Sequence, residues 1–200
     1  MDTIVAQAMA RWPDVPSVYG WLRLDRRGRW LIRNEPISHR TTCEFIGRNY
    51  AWLRDGDGKA RFYFQNGPQR VFVDVDHCPY VLHLAGSGGN HLCTHTGIAV
   101  AAPQRAWLDA EGGIVIEFEH GVGSVLDRDL PALAEQVSDS AGRRLDTADW
   151  LQALDSPQPQ LQLTLGERHI PLGRLAPGSC AAHFGFDPAP RPEPGEDACV

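Results

Sequence analysis

Trp21-Leu22-Arg23-Leu24-Asp25-Arg26-Arg27-Gly28-Arg29-Trp30-Leu31-Ile32 sets two apolar runs on either side of a short polar turn. Asp at the first position of a tight turn bonds its own backbone, and Gly takes the positive φ that closes the loop. Asp25-Arg26-Arg27-Gly28 therefore reads as a turn, and the apolar runs on either side read as the two strands of a hairpin. The same D-x-x-G chemistry recurs at Asp55-Gly56-Asp57-Gly58 and at Asp109-Ala110-Glu111-Gly112. Each lies between a Trp-Leu pair (Trp52-Leu53, Trp107-Leu108) and an apolar run (Phe62-Tyr63-Phe64, Ile114-Val115-Ile116). The distance from Trp to Asp varies, so this is convergent turn chemistry rather than a sequence repeat.

Outward from these hairpins the same logic continues. Gln65-Asn66-Gly67-Pro68-Gln69 is a further tight connection, leading into Val71–Val75. Alternation in Leu161-Gln162-Leu163-Thr164-Leu165 predicts another hairpin through Ile170-Pro171-Leu172, with Pro171 placing its strand on an edge. Four segments read as short helices. Val5, Ala8, Met9 and Trp12 form one stripe that Pro13 ends. Thr41 and Glu44 form a capping-box pattern ahead of Phe45, Ile46, Tyr50 and Leu53. The third helix starts near Asp129, with Leu130, Leu133, Ala134 and Val137 inward, and the fourth is capped by Asp146 and breaks at 156–159. Strands joined by tight turns predict an α+β class with antiparallel sheets built from hairpins and about four short helices.

The Gly86–Asn90 stretch reads as a loop near a soft boundary. The expected division is an N-terminal lobe over 1–97 and a C-terminal lobe over 98–186, or the two as one compact domain, with a Pro-rich acidic tail over 187–200 too polar to pack. The chain has 200 residues, 42% of them hydrophobic, enough for a core without disulfide or metal staples. No apolar run approaches the ~18 residues of a membrane helix. The N-terminus carries no export pattern, so a cytoplasmic chain with no membrane partner is expected.

The net charge of −6 hides an asymmetry. Residues 1–70 hold twelve basic against seven acidic side chains, and residues 71–200 hold seven against eighteen. The basic front could meet an anionic partner, but no Lys/Arg block exceeds two neighbours, so ordinary solvated charge or internal pairing is the simpler reading. Five cysteines at irregular spacing, with no C-x-x-C pair, are expected as reduced thiols.

Several motifs compete for chemistry. His91, Cys93 and His95 share one face if extended, and all are zinc-compatible, with His77, Cys78 and His83 preceding them. They lack a clean second ligand pair, so a strand edge with locally satisfied side chains is the prevailing reading, and no metal or other cofactor is expected. Asp55–Gly58 fails as a calcium loop because Asn66 stands where a carboxylate is required. Gly86–Gly89 lacks the Lys of a phosphate loop, and no G-x-S-x-G is present. Cys180 and His183 are near in sequence, a weak signal for nucleophilic chemistry. The hairpin 21–33 mixes Trp21 and Trp30 with Arg23, Arg26, Arg27, Arg29 and Arg33, as a base-stacking surface would. A hairpin of core Trp and solvated Arg is the prevailing reading, and acid dominance elsewhere argues against nucleic acid.

A set of strings covers nearly the whole chain. They are Trp12-Pro13-Asp14-Val15-Pro16, Tyr19-Gly20-Trp21-Leu22 with Leu24-Asp25, and Phe45-Ile46-Gly47-Arg48-Asn49-Tyr50. Phe64–Val73, His95-Thr96-Gly97 and Phe184-Gly185-Phe186 complete it. Together they resemble a proteobacterial family of roughly 200-residue cytosolic proteins of unknown function. The resemblance implies a bacterial cytosolic protein, and carries over no activity, cofactor or catalytic residue. Of the candidate metal run, only His95 falls within the family-like strings.

The reading reached is a non-enzymatic binding or accessory module with a protein partner. Its expected contact surface is Gln65, Asn66, Gln69 and Arg70 with the neighbouring Tyr19 and Trp21, since a turn needing only Gly-Pro geometry does not require those hydrogen-bonding side chains. The alternatives are a metal-dependent enzyme centred on His91, Cys93 and His95, and an RNA or anionic-partner binder using hairpin 21–33.

Overall fold

A computed structural model describes residues 1–54, 56–86, 91–156, 160–176 and 178–200. The chain opens with α1 (Thr3–Arg11), β1 (Ser17–Leu24), β2 (Trp30–Ile32), β3 (Glu35–Pro36), α2 (Arg40–Arg48), β4 (Tyr50–Arg54), β5 (Ala60–Asn66) and β6 (Gln69–Val75). There follow β7 (Tyr80–Ala85), β8 (His91–Thr94), β9 (Arg105–Leu108), β10 (Ile114–Phe118) and β11 (Gly121–Val125). A 3-10 turn (Asp127–Asp129) leads to α3 (Leu130–Ala134), β12 (Val137–Asp139) and α4 (Thr147–Ala153). The chain ends with β13 (Leu161–Leu165), β14 (Arg168–Arg174), α5 (Cys180–Phe184) and β15 (Ala198–Cys199). The class is α+β, as the turn chemistry predicts.

The predicted hairpins are present and antiparallel: β1 with β2, β4 with β5, β9 with β10, and β13 with β14. Two of the D-x-x-G turns close as expected. The Asp25 carboxylate accepts the N–H groups of Arg27 and Arg29 at 2.9 and 2.8 Å, and that of Asp109 accepts those of Glu111 and Gly113 at 2.9 and 2.7 Å. In the third, Asp55 lies outside the described residues. A further D-x-x-G, Asp139–Gly142, closes the same way on Ala141 and Arg143.

The sheets are mixed, which corrects the all-antiparallel expectation. Hairpins are stitched together by parallel pairs, β1 with β6 in the first sheet, and β7 with β11 and β9 with β14 in the second. Among the described residues the first sheet runs β3-β2-β1-β6-β5-β4, with β15 added beside β1, and the second runs β12-β13-β14-β9-β10-β11-β7-β8. Pro171 accordingly does not mark an edge strand. Its strand is internal, and pairing with β9 starts at Leu172, one residue beyond the position that lacks an N–H.

The helices also depart from the reading in detail. The helix at Thr41 begins one residue earlier, at Arg40, so His39 rather than Thr41 stands at the N-cap and makes no side-chain cap bond, while Glu44 pairs with Arg40 at 2.7 Å. It stops at Arg48, so Tyr50 and Leu53 belong to β4 rather than to its buried face. Val137 likewise belongs to β12. Asp146 does cap its helix, accepting the Asp149 N–H at 2.9 Å. Beyond the four expected helices the chain forms a fifth, α5, which Ser179 caps by accepting the Ala182 N–H at 3.2 Å.

The chain divides into two compact units, Met1–Pro79 with Ser179–Val200, and Tyr80–Gly178. This division differs from the boundary expected at 97/98. β7 and β8 belong with the second unit because β7 pairs with β11, Tyr80 lying opposite Gly123. The residues of the acidic tail pack on the first unit: Pro188 accepts the Val75 N–H, Arg191 pairs with Asp74 at 2.9 Å, and β15 lies parallel to β1. Composition suggested an unpacked tail. Asp187 and Glu193 instead face Arg61, and Glu196 accepts from Tyr19. No helix among the described residues is long and apolar enough to cross a membrane.

Candidate functional site

Strand alternation sorts the first sheet's side chains onto two faces. On one face β5 presents Phe62 and Phe64, and α2 covers part of it, with Phe45 edge-on to Phe64 at 5.4 Å. On the other, Tyr19 of β1 stacks on Phe72 of β6 at 4.5 Å, and Tyr63 of β5 meets Phe72 edge-on at 6.1 Å. Between Val18↔Val71 and Leu22↔Val73 the ladder of β1 with β6 shifts register, and Gly20 takes φ 71° there. Only glycine adopts that conformation without strain. The irregularity turns Trp21 outward while keeping Val18 and Leu22 on the face beneath α2.

That face holds a pocket of about 520 Å³. Its floor and walls are apolar, from Val18, Leu22, Phe45, Ile46, Phe64 and Val71. Trp21 (38% exposed) and Ile32 (48%) stand at its margin, and Thr42, Asn66 and Gln69 supply polar side chains. The Arg33 guanidinium lies 4.0 Å over the Trp21 ring and holds the indole in place. Arg33 and Asn34 both adopt positive φ, 49° and 72°, in the turn between β2 and β3.

The six side chains singled out from the sequence therefore divide. Trp21, Asn66 and Gln69 line the apolar pocket, and Gln69 also donates to the Pro16 carbonyl at 3.1 Å. Tyr19, Gln65 and Arg70 belong to the opposite face or to the interior. Gln65 is 1% exposed and its Nε2 donates to the Gly67 carbonyl at 3.0 Å, bracing the turn from within. Arg70 lies 4.8 Å over the Tyr63 ring. Tyr19 donates its hydroxyl to Glu196, and Arg61, nearly buried, faces Asp57, Asp187 and Glu193 at 3.3–3.6 Å. Tyr19, Arg61, Arg70, Glu193 and Glu196 line a polar hollow of about 320 Å³ on this face. Its charges are largely matched within the chain.

The alternative sites fare differently. His91 and Cys93 point away from buried Leu92 and Thr94 on β8, and His91 lines a pocket with Glu167 and Arg168. His95 lies beyond the strand, where its Nδ1 accepts the Val81 N–H at 3.2 Å. The three do not gather around a common point. In hairpin 21–33, Trp30 is core, Arg23 pairs with Asp76, and Arg29 pairs with Asp25 at 2.7 Å. Those guanidinium groups are occupied by carboxylates rather than presented to phosphates.

One cluster escaped the sequence reading. His77, Cys78 and Cys180 bring one donor atom each to within 4.8 Å of one another, and the Cys180 Sγ lies 3.7 Å from His77 Nε2. Among the described residues it is the only group of three or more His, Cys, Asp or Glu with that geometry. His183, the nearer histidine in sequence, packs on Phe184 instead. No local signal pairs residues 103 positions apart.

Fold and site together define an α+β protein with mixed sheets and an apolar pocket between a sheet face and a short helix. The chain belongs to the family described as protein of unknown function (DUF2946), which matches residues 1–191. The resemblance to an uncharacterised family is thereby established. A solved structure of a DUF1285 family protein from Silicibacter pomeroyi is 20% identical, with a TM-score of 0.49 over 76% of this chain and 99% of that one. Nothing among curated proteins matches the sequence.

Proposed function

We propose that this protein is a non-catalytic binding module that receives the apolar side chains of a partner polypeptide in the pocket between α2 and the first sheet. The observation that carries this reading is the pocket itself. Its volume of about 520 Å³ falls in the range of about 300–1,000 Å³ typical of ligand sites. Its lining is apolar with a few polar groups from Thr42, Asn66 and Gln69, the pattern that fixes an apolar ligand's orientation. A polypeptide is favoured over a free small molecule because the pocket opens at an exposed apolar margin, Trp21 and Ile32, of the kind that marks protein contact sites. Trp21, Asn66 and Gln69 are the expected site residues that take part. Tyr19, Gln65 and Arg70 support the turn and the opposite face.

A displayed random-peptide library panned against the purified protein tests this. Peptides with bulky apolar anchors should be enriched, and Ile32→Glu should weaken them about tenfold or more with the melting temperature unchanged. Ile32 is exposed, so the variant leaves the core intact. Enrichment with no apolar preference, or equal binding to the variant, would overturn the reading. Binding of a fluorescent fatty acid with no peptide enriched would reassign the pocket to a free ligand.

A further inference from the structure

We infer that His77, Cys78 and Cys180 form a zinc site. The three side chains come from two distant segments, the connection after β6 and the first turn of α5. Cys78 and Cys180 are 2% and 4% exposed, while His77 is half-buried. Tetrahedral zinc, with Zn–S near 2.3 Å and Zn–N near 2.0 Å, spaces its ligand atoms about 3.4–3.8 Å apart. The His77–Cys180 separation of 3.7 Å already has that spacing, and all three donor atoms lie within 4.8 Å. Small side-chain adjustments close the remainder.

The donor chemistry selects the ion. Two thiolates and an imidazole are soft to borderline ligands that suit zinc and disfavour magnesium or calcium. Two thiolates also neutralise a divalent cation, so the complex carries no net charge into a site where both sulfurs are buried. Burial of both sulfurs likewise speaks against a nucleophilic role for Cys180, since a catalytic thiolate must meet its substrate in a partly exposed position. Three protein ligands leave the fourth tetrahedral position to water. Binding releases the two thiol protons, so affinity rises with pH. It also ties positions 77–78 to 180, closing a loop of about a hundred residues, and so stabilises the fold.

Full-length protein produced with zinc in the medium and purified in reducing buffer without chelator is the material to test. Metal analysis should find about one zinc per chain. Chelation should lower the melting temperature, and zinc chloride alone should restore it. His77→Ala and Cys180→Ser should lose the metal, and Cys93→Ser should keep it. Should either ligand variant fail to fold, cobalt(II) titration of the metal-free wild type supplies the answer, through thiolate-to-cobalt charge transfer and tetrahedral d–d bands. Sub-stoichiometric zinc with no zinc-dependent melting shift and no cobalt spectrum would overturn the inference. Undiminished zinc in Cys180→Ser, or a Cys78–Cys180 disulfide in place of metal, would overturn it as well.

Discussion

The hydroxyl of Tyr19 donates to the carboxylate of Glu196, 2.8 and 2.9 Å from its two oxygens, and so joins the first strand to the last turn of the chain. Glu196 also accepts the Glu193 N–H at 3.0 Å, which holds Glu193 within 3.3 Å of Arg61. One phenol thus organises the acidic segment over the face opposite the pocket. Tyr19→Phe keeps the stack on Phe72 and deletes the hydroxyl's bond to Glu196. It should cost about 1 kcal/mol, because the carboxylate it frees remains exposed to water. Chemical denaturation checks the value, and limited proteolysis should cut the terminal segment sooner in the variant.

Asp25 should make the protein acid-sensitive. Burial pushes its carboxyl up, but hydrogen bonds from the backbone and side chain of Arg29 and from the Arg27 N–H outweigh this and hold it below the usual 3.8. The folded state therefore favours the ionised form. Its contribution is present above pH 3.8 and is lost as pH falls through the lower folded value. Asp25→Asn should be less stable than wild type by about 1–3 kcal/mol at pH 7. The gap should narrow below pH 3.8, as urea denaturation at several pH values would show.

Gly123 on β11 leaves no room for a methyl group. A Cβ there would lie 2.7 Å from Leu82 Cγ, and Leu82 is fully buried. Gly123→Ala should destabilise by about 1–3 kcal/mol through overpacking. Leu82→Ala is costly alone, yet the double variant should be more stable than the two losses added together. A thermal-denaturation cycle over the four proteins measures that coupling.

Asp146 caps α4 through the Asp149 N–H. Asp146→Ala should lose about 1 kcal/mol, while Asp146→Ser should keep most of it, because a hydroxyl can accept the same bond. Equal losses in the two variants would show that the cap contributes through charge rather than through the hydrogen bond.

The elements legible in the sequence are those whose hydrogen bonds close within a few residues. Asp25 and Asp109 find their N–H partners two and four positions on, so D-x-x-G alone placed two hairpins. Asp139–Gly142 carries the same signal and could have been read the same way. Thr41 and Glu44 show the limit of such reading. The residues were right for a capping box, but a competing i,i+4 partner, Arg40, lay just outside the pattern.

The turns, the period-two strands and the α+β class are legible along the chain, because each is written in backbone chemistry spanning a handful of residues. Which hairpins lie side by side was decided only in three dimensions. The parallel pairs β1–β6, β7–β11 and β9–β14 join segments whose contact depends on closing long loops and burying shared apolar faces, and neither cost is marked locally. The candidate sites follow that division. Gln65–Arg70 was visible as a turn, but the pleat sent Asn66 and Gln69 toward the pocket and Arg70 to the far face. His77 and Cys78 had no visible partner until the fold carried Cys180 to them, because ligand geometry is set by spatial approach and not by spacing along the chain.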